Sequence, residues 1–233
     1  MQKHRWIMIF AAILASLALV GGLVSCSSSG GGSSSGPLLI DGSAFMTYSS
    51  SYSLSGVVIM YENGMTPISD ASASVSINGE DLSPSLFCYL GYGLTPVEPG
   101  DPVAFSIAYG GTTVNESVTA PGSVTITAPT DGDTFLVTSS IPVTWAASAE
   151  TPEPSEVRIE ISSDYTNDTS GYSQIVPFSM GSWDIPANTF KSDASSAVIN
   201  VSGVASKAIS GSGVMTGSVL SVLNTRSVSI TFK

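Results

Sequence analysis

The sequence predicts an all-β protein: two tandem antiparallel β-sandwiches that follow an apolar N-terminal segment and a Ser/Gly tether. Three observations predict it. Beyond residue 36, apolar residues recur with a period of two, the spacing of a strand with one buried and one wet face. The pairs Asn63-Gly64, Asn78-Gly79 and Gly110-Gly111 sit between such runs and tolerate the positive φ of tight hairpin turns. Helical spacing is missing after the first 25 residues, where Ser192 to Ala197 could form one turn at most.

The first sandwich is expected over residues 37–121. Gly56 to Tyr61 is a continuous apolar run and predicts a central strand. Ala71, Ala73, Val75 and Ile77 alternate with Ser72, Ser74, Ser76 and Asn78. Val103, Phe105, Ile107 and Tyr109 alternate with Ala104, Ser106 and Ala108 in the same way. Pro96, Pro99-Gly100 and Pro102 break a loop before that strand. Gly56 to Leu82, with Ala-Ser-Val-Ser-Ile-Asn-Gly at 73–79, resembles the small prealbumin-like sandwiches of carboxypeptidase-regulatory type. That resemblance implies a seven-stranded scaffolding or binding module without activity.

The second sandwich is expected over residues 122–233, with Pro121-Gly122 as the boundary. Val124 to Ala128 opens it, and Ile141, Val143 and Trp145 share one strand face. Val157, Ile159 and Ile161 alternate with Glu156, Arg158, Glu160 and Ser162. Trp183 to Pro186 reads as a loop or short strand, and Ala197, Ile199 and Val201 as the next inward face. The end reads as a hairpin: Ser218 to Leu223, a turn at Asn224-Thr225, then Val228, Ile230 and Phe232. This order resembles disulfide-free immunoglobulin-like or fibronectin type III-like domains, which implies that Trp145 packs between two sheets.

The N-terminus carries a different signal. Lys3, His4 and Arg5 precede Trp6 to Val20, an apolar run broken only by Ser16. Gly21-Gly22 then leads to Leu23, Val24, Ser25 and Cys26. A basic start, a short apolar core and small residues before a cut make a secretory signal. Ser25 is small enough for a peptidase cleft, and Cys26 supplies a nucleophilic thiol. These residues resemble the lipobox of bacterial lipoprotein precursors. The resemblance implies that residues 1–25 are removed and that Cys26 takes diacylglycerol and an N-acyl chain such as palmitate. Each buried chain methylene contributes about 0.8 kcal/mol, and two or more chains anchor stably. The lipid bilayer is then a partner, and Ser27 after the cysteine implies an outer-membrane location in the cell envelope. The alternative is an uncleaved span, because Trp6 to Val24 nears the roughly 20 residues needed to cross. Residues 26–36 form the lipidated Cys and linker; Ser27 to Gly36 is only Ser and Gly, with a reach of about 17 Å.

Composition removes several function classes. Without residues 1–25, five basic residues face eighteen acidic ones, a net charge of −13. Nucleic acid is therefore not an expected partner, since phosphates demand Lys and Arg. His4 is the only histidine and leaves with the signal, so His-based triads, bases and zinc sites are not expected. Cys88, flanked by Phe87 and Tyr89, reads as a small buried residue. Asp131, Asp133, Asp164, Asn167 and Asp168 are oxygen ligands in loops and weak calcium candidates, though turn chemistry explains them equally. Tyr48, Tyr52, Tyr89, Tyr92, Tyr165, Tyr172 and Trp183 are the aromatics available to a sugar platform. Outside the Ser/Gly tether no Gly-x-Ser-x-Gly elbow or Ser-x-x-Lys pair exists, although two carboxylates of glycosidase type remain open among eighteen acids. The expectation is a non-enzyme without cofactor, with a structural or adhesion-like protein-interaction role, or alternatively a carbohydrate-binding accessory role at the cell surface.

Overall fold

A computed structural model describes residues 36–48, 51–64, 66–69 and 72–233. In chain order the strands are β1 (Leu38–Tyr48), β2 (Tyr52–Glu62), β3 (Thr66–Ile68), β4 (Ser74–Ile77), β5 (Glu80–Asp81), β6 (Ser83–Ser85), β7 (Cys88–Leu94), β8 (Pro102–Tyr109) and β9 (Thr112–Thr119). The second half continues with β10 (Val124–Ala128), β11 (Thr134–Phe135), β12 (Ile141–Ala147), β13 (Glu156–Ile161), β14 (Tyr172–Pro177), β15 (Ser182–Ile185), β16 (Ser196–Ala208) and β17 (Val219–Phe232). Among the described residues, the helical structure is the single 3₁₀ turn Phe178–Met180, closed by Gly181 at φ 67°. The chain is all-β, as its period-two pattern predicts.

One large sheet backs the whole molecule, in the order β14-β13-β16-β17-β1-β2-β7-β6. A four-stranded sheet, β5-β4-β8-β9, and a three-stranded sheet, β10-β12-β15, form the layers in front of it. Two cores fill the space between the layers. The first joins Ile40, Met46, Val58, Leu220 and Val222 of the large sheet to Ile77, Phe105 and Ile107. The second joins Val157, Ile159, Ile199, Val201, Val228 and Ile230 to Ile141, Val143 and Trp145. Strand alternation explains each set, because β8 reads exposed-buried throughout Pro102–Ile107 and β13 keeps Val157, Ile159 and Ile161 inward. β2 is buried on both faces over Gly56–Met60, which matches its continuous apolar run. The reverse face of the large sheet carries a smaller cluster of Phe45, Val57, Ile59, Cys88, Val204 and Leu223.

The three Gly-containing pairs all form turns. Asn63 and Gly64 have φ of 53° and 68°, Asn78 and Gly79 of 51° and 78°, and Gly110 and Gly111 of 56° and 84°. They close β2–β3, β4–β5 and β8–β9.

The expected turn at Asn224-Thr225 is a correction: β17 runs through both residues without a break. Its hairpin partner is β16, paired over thirteen residues from Ser196↔Thr231 to Ala208↔Val219, and the connection between them is the loop 209–218. The Asn224 amide donates to Pro121 O at 3.0 Å, and Thr225 Oγ1 meets Ser202 Oγ at 2.8 Å. Those contacts hold both residues in the extended strand. The first half of β17 then pairs in parallel with β1, from Asp41↔Val219 to Thr47↔Thr225, and its end pairs in parallel with β11. The last hairpin therefore belongs to both cores, and two parallel ladders interrupt an otherwise antiparallel plan.

Candidate functional site

A polar cluster joins the β1–β2 hairpin and β17 to the chain segments beside β10 and β12. The β1–β2 hairpin brings Tyr48 opposite Tyr52, with ring centroids 5.1 Å apart in an edge-to-face arrangement. β17 carries Arg226 one residue past its last pair with β1, which sets the guanidinium 5.0 Å from the Tyr48 ring and 5.8 Å from the Tyr52 ring. The chain between β12 and β13 adds Glu150. Its Oε1 accepts from the Tyr52 hydroxyl at 2.5 Å and from Arg226 Nη2 at 3.3 Å. Its Oε2 accepts the Ser123 amide at 2.8 Å. Two further bonds clamp the crossing: Gly122 N–H to Pro152 O at 2.7 Å, and the Asn224 amide to Pro121 O. Backbone packs tightly here, since a Cβ on Gly203 would stand 2.6 Å from Gly122 O.

Electrostatics follow from this geometry. Burial pushes the Glu150 carboxyl up, but hydrogen bonds from Ser123 and Tyr52 and the Arg226 charge outweigh it and hold the group below its ordinary value of 4.5. Burial, and then the bond to Glu150, raise the Tyr52 phenol. Asn224 is fully buried, and its Oδ1 and Arg226 Nη1 have no protein partner. A phenol, a carboxylate and a guanidinium bonded to one another in this way form a clasp between segments.

The clasp has a pH signature. A carboxyl depressed in the folded state stabilises that state fully above its ordinary value and loses the contribution as pH falls through the lower folded value. Glu150→Gln should therefore cost most stability at neutral pH, and its deficit against the parent should shrink at about pH 3. Urea unfolding at both pH values checks this, and a deficit independent of pH contradicts it.

A second feature is an open cleft of about 660 Å³ lined by Glu80, Asp81, Ser83, Leu90, Tyr92 and Leu94. Of its acids, Glu80 accepts the Thr95 amide at 2.5 Å, and that bond lowers its pKa.

The remaining residues named from sequence fall in several places. Leu23, Val24, Ser25 and Cys26 lie outside the described residues. Cys88 is buried on the reverse face, and burial raises its thiol. Asp131 Oδ1 takes the Ser229 amide and Asp133 Oδ2 the Thr130 amide, so both close the turn around Gly132. Asn167 donates to Asn188 O and Phe190 O, and Asp168 caps Ser170. Asp164 is joined through its backbone oxygen to Lys191 Nζ. Among the described residues, no three His, Cys, Asp or Glu side chains converge on a metal position. Of the aromatics, Tyr89 is 1% exposed and Tyr52 is buried, while Trp183 donates to the Tyr172 hydroxyl at 2.7 Å. Tyr48 on β1 and Tyr92 on β7 are exposed. Sequence reasoning missed Glu150 and Arg226, whose only signal was to be charged residues in a chain poor in charge.

No known family model matches this chain, and no curated protein is significantly similar to it.

Proposed function

We propose that the chain is an exported lipoprotein, tied to a cell-envelope membrane through lipid on Cys26, whose β body serves as a non-enzymatic structural or interaction module. The observation that carries this reading is the order Lys3-His4-Arg5, the apolar run Trp6 to Val20, then Leu23-Val24-Ser25-Cys26 and a Ser/Gly tether. That order supplies, in sequence, a cytoplasmic retention charge, a membrane-inserting core, a cleavage position and an acceptor thiol. The body fits the same role. It is a layered sheet scaffold whose Tyr52–Glu150–Arg226 cluster holds its own segments together. Its acidity keeps it soluble at a surface.

Cells producing the chain should incorporate labelled palmitate into it, and globomycin should leave the longer precursor uncut. Cys26→Ala should abolish both labelling and normal processing. A Cys26→Ala chain that matures and sediments with membranes like the parent overturns the proposal.

A further inference from the structure

The half of the molecule built around the first core, here the first lobe, has two unlike ends; the half around the second core is the second lobe. At one end the tether joins the fold: Gly36 N–H donates to Glu62 Oε1, and Asn63 N–H donates to Pro37 O. Four described turns share that end. Asn63-Gly64 closes β2, which pairs Glu62 with Leu38. The loop 209–218 exchanges Leu38 N–H to Gly213 O and Met215 N–H to Leu38 O. Gly110-Gly111 precedes Thr112, whose hydroxyl would stand against a Cβ on Gly213. Leu86-Phe87 joins β6 to β7, and β7 runs antiparallel to β2 from Val58↔Tyr89 to Leu54↔Leu94, so this turn points toward the Glu62 end. Ser69 Oγ, just past β3, donates to Leu86 O at 3.1 Å.

None of these four turns contains a charged residue, in a chain with eighteen acids. Asp70, between β3 and β4, lies outside the described residues. The opposite end of the same lobe carries Glu80 and Asp81 after the Asn78-Gly79 turn, and Glu98 and Asp101 in the loop before β8. This end, where Glu62 is the one charged residue named and is bonded to Gly36, also holds the most exposed large apolar side chains described: Leu86 at 83% and Phe87 at 64%. They sit at the tip of a hairpin whose outer strand, β6, is only Ser-Pro-Ser, with Pro84 blunting the free edge.

We infer that the Leu86-Phe87 tip is a second membrane contact, seated in the interface of the bilayer to which Cys26 ties the chain. This rests on the lipoprotein reading above. Gly36 continues β1, and the tip lies two strands away across β2, about 10 Å to the side at roughly 4.8 Å per strand. The tether reaches about 17 Å, so the anchor keeps this end, and not the acidic one, against the lipid. Two apolar side chains alone hold a protein weakly, but a short flexible link turns their binding into an intramolecular event at millimolar effective concentration. An apolar residue beside an aromatic ring suits the boundary between headgroups and acyl chains. The contact would fix which way the lobe faces, leaving the acidic end and the second lobe turned from the membrane.

The test uses the acylated full-length product, purified from membranes and reconstituted in phosphatidylcholine vesicles with or without brominated acyl chains. Mass spectrometry first reports the lipid on Cys26. Trp6 leaves with residues 1–25, and Trp145 and Trp183 lie in the second lobe, so the processed parent's emission serves as the unquenched background. Phe87→Trp should add blue-shifted emission that brominated lipid quenches, and Leu86→Asp placed in that variant should remove the quenching. Ile175→Trp, on the exposed β14 edge, should stay unquenched. A lipidated protein whose Phe87→Trp emission is unquenched overturns the inference and leaves the anchor reading standing. So does emission that is blue-shifted but unquenched, because protein then covers the tip. A mass without lipid overturns the anchor reading, and this inference with it.

Discussion

Ending the chain at Ser218, before β17, is expected to unfold both lobes at once. β17 sends Leu220 and Val222 into the first core and Val228 and Ile230 into the second, all buried. It is also the only strand between β16 and β1 in the large sheet. Its removal strips thirteen paired positions from β16 and seven from β1, and leaves both as open edges beside unfilled cores. Each buried aliphatic side chain lost costs about 2–5 kcal/mol, and four such losses, about 8–20 kcal/mol, are as large as the roughly 5–15 kcal/mol that holds a typical domain together. Circular dichroism and amide dispersion should show no cooperative fold in the shortened chain. In the intact chain, tyrosine signals from the first lobe and tryptophan emission from the second should fall in one transition. A truncated chain that still melts cooperatively would show that one lobe stands without the shared hairpin.

Trp145→Ala should be the most damaging single substitution in the second lobe. Trp145 is 5% exposed, its ring belongs to the core between β12 and the large sheet, and its Nε1 donates to Phe178 O at 2.9 Å. Removing the ring leaves a cavity and takes one of two donors from Phe178 O, which keeps the Gly181 N–H at 3.1 Å. Large aromatic truncations cost about 3–5 kcal/mol, which at about 2–4 °C per kcal/mol for a chain of this size lowers the melting temperature by roughly 10 °C. Trp183→Ala should cost less, because Trp183 is half-buried and ends on the Tyr172 hydroxyl. Thermal unfolding of the two variants side by side checks the ranking; equal losses would mean that Trp145 is not the ring the core is built around.

Short-range features were readable from the residues themselves. Asn63-Gly64, Asn78-Gly79 and Gly110-Gly111 carry their turn geometry locally, since Asn and Gly reach positive φ with little strain. Asn224-Thr225 looked like the same kind of signal. There the neighbourhood decided otherwise, because Pro121 O and Ser202 Oγ engage those side chains and keep the strand extended. The clasp of Tyr48, Tyr52, Glu150 and Arg226 was only half legible. The tyrosines stood out as aromatics, but no spacing in the chain relates Tyr52 to Arg226, which are 174 positions apart.

By itself, the sequence determined the all-β class, the faces of most strands and the tight turns. All of these depend on residues within a few positions of one another. Tertiary structure alone decided which strands pair. A period of two says which side of a strand is buried, but it is the same for every partner and for either direction of pairing. Only the folded chain shows β17 lying parallel to β1 and serving two cores, and only there do Leu86 and Phe87 come to the end where the tether begins.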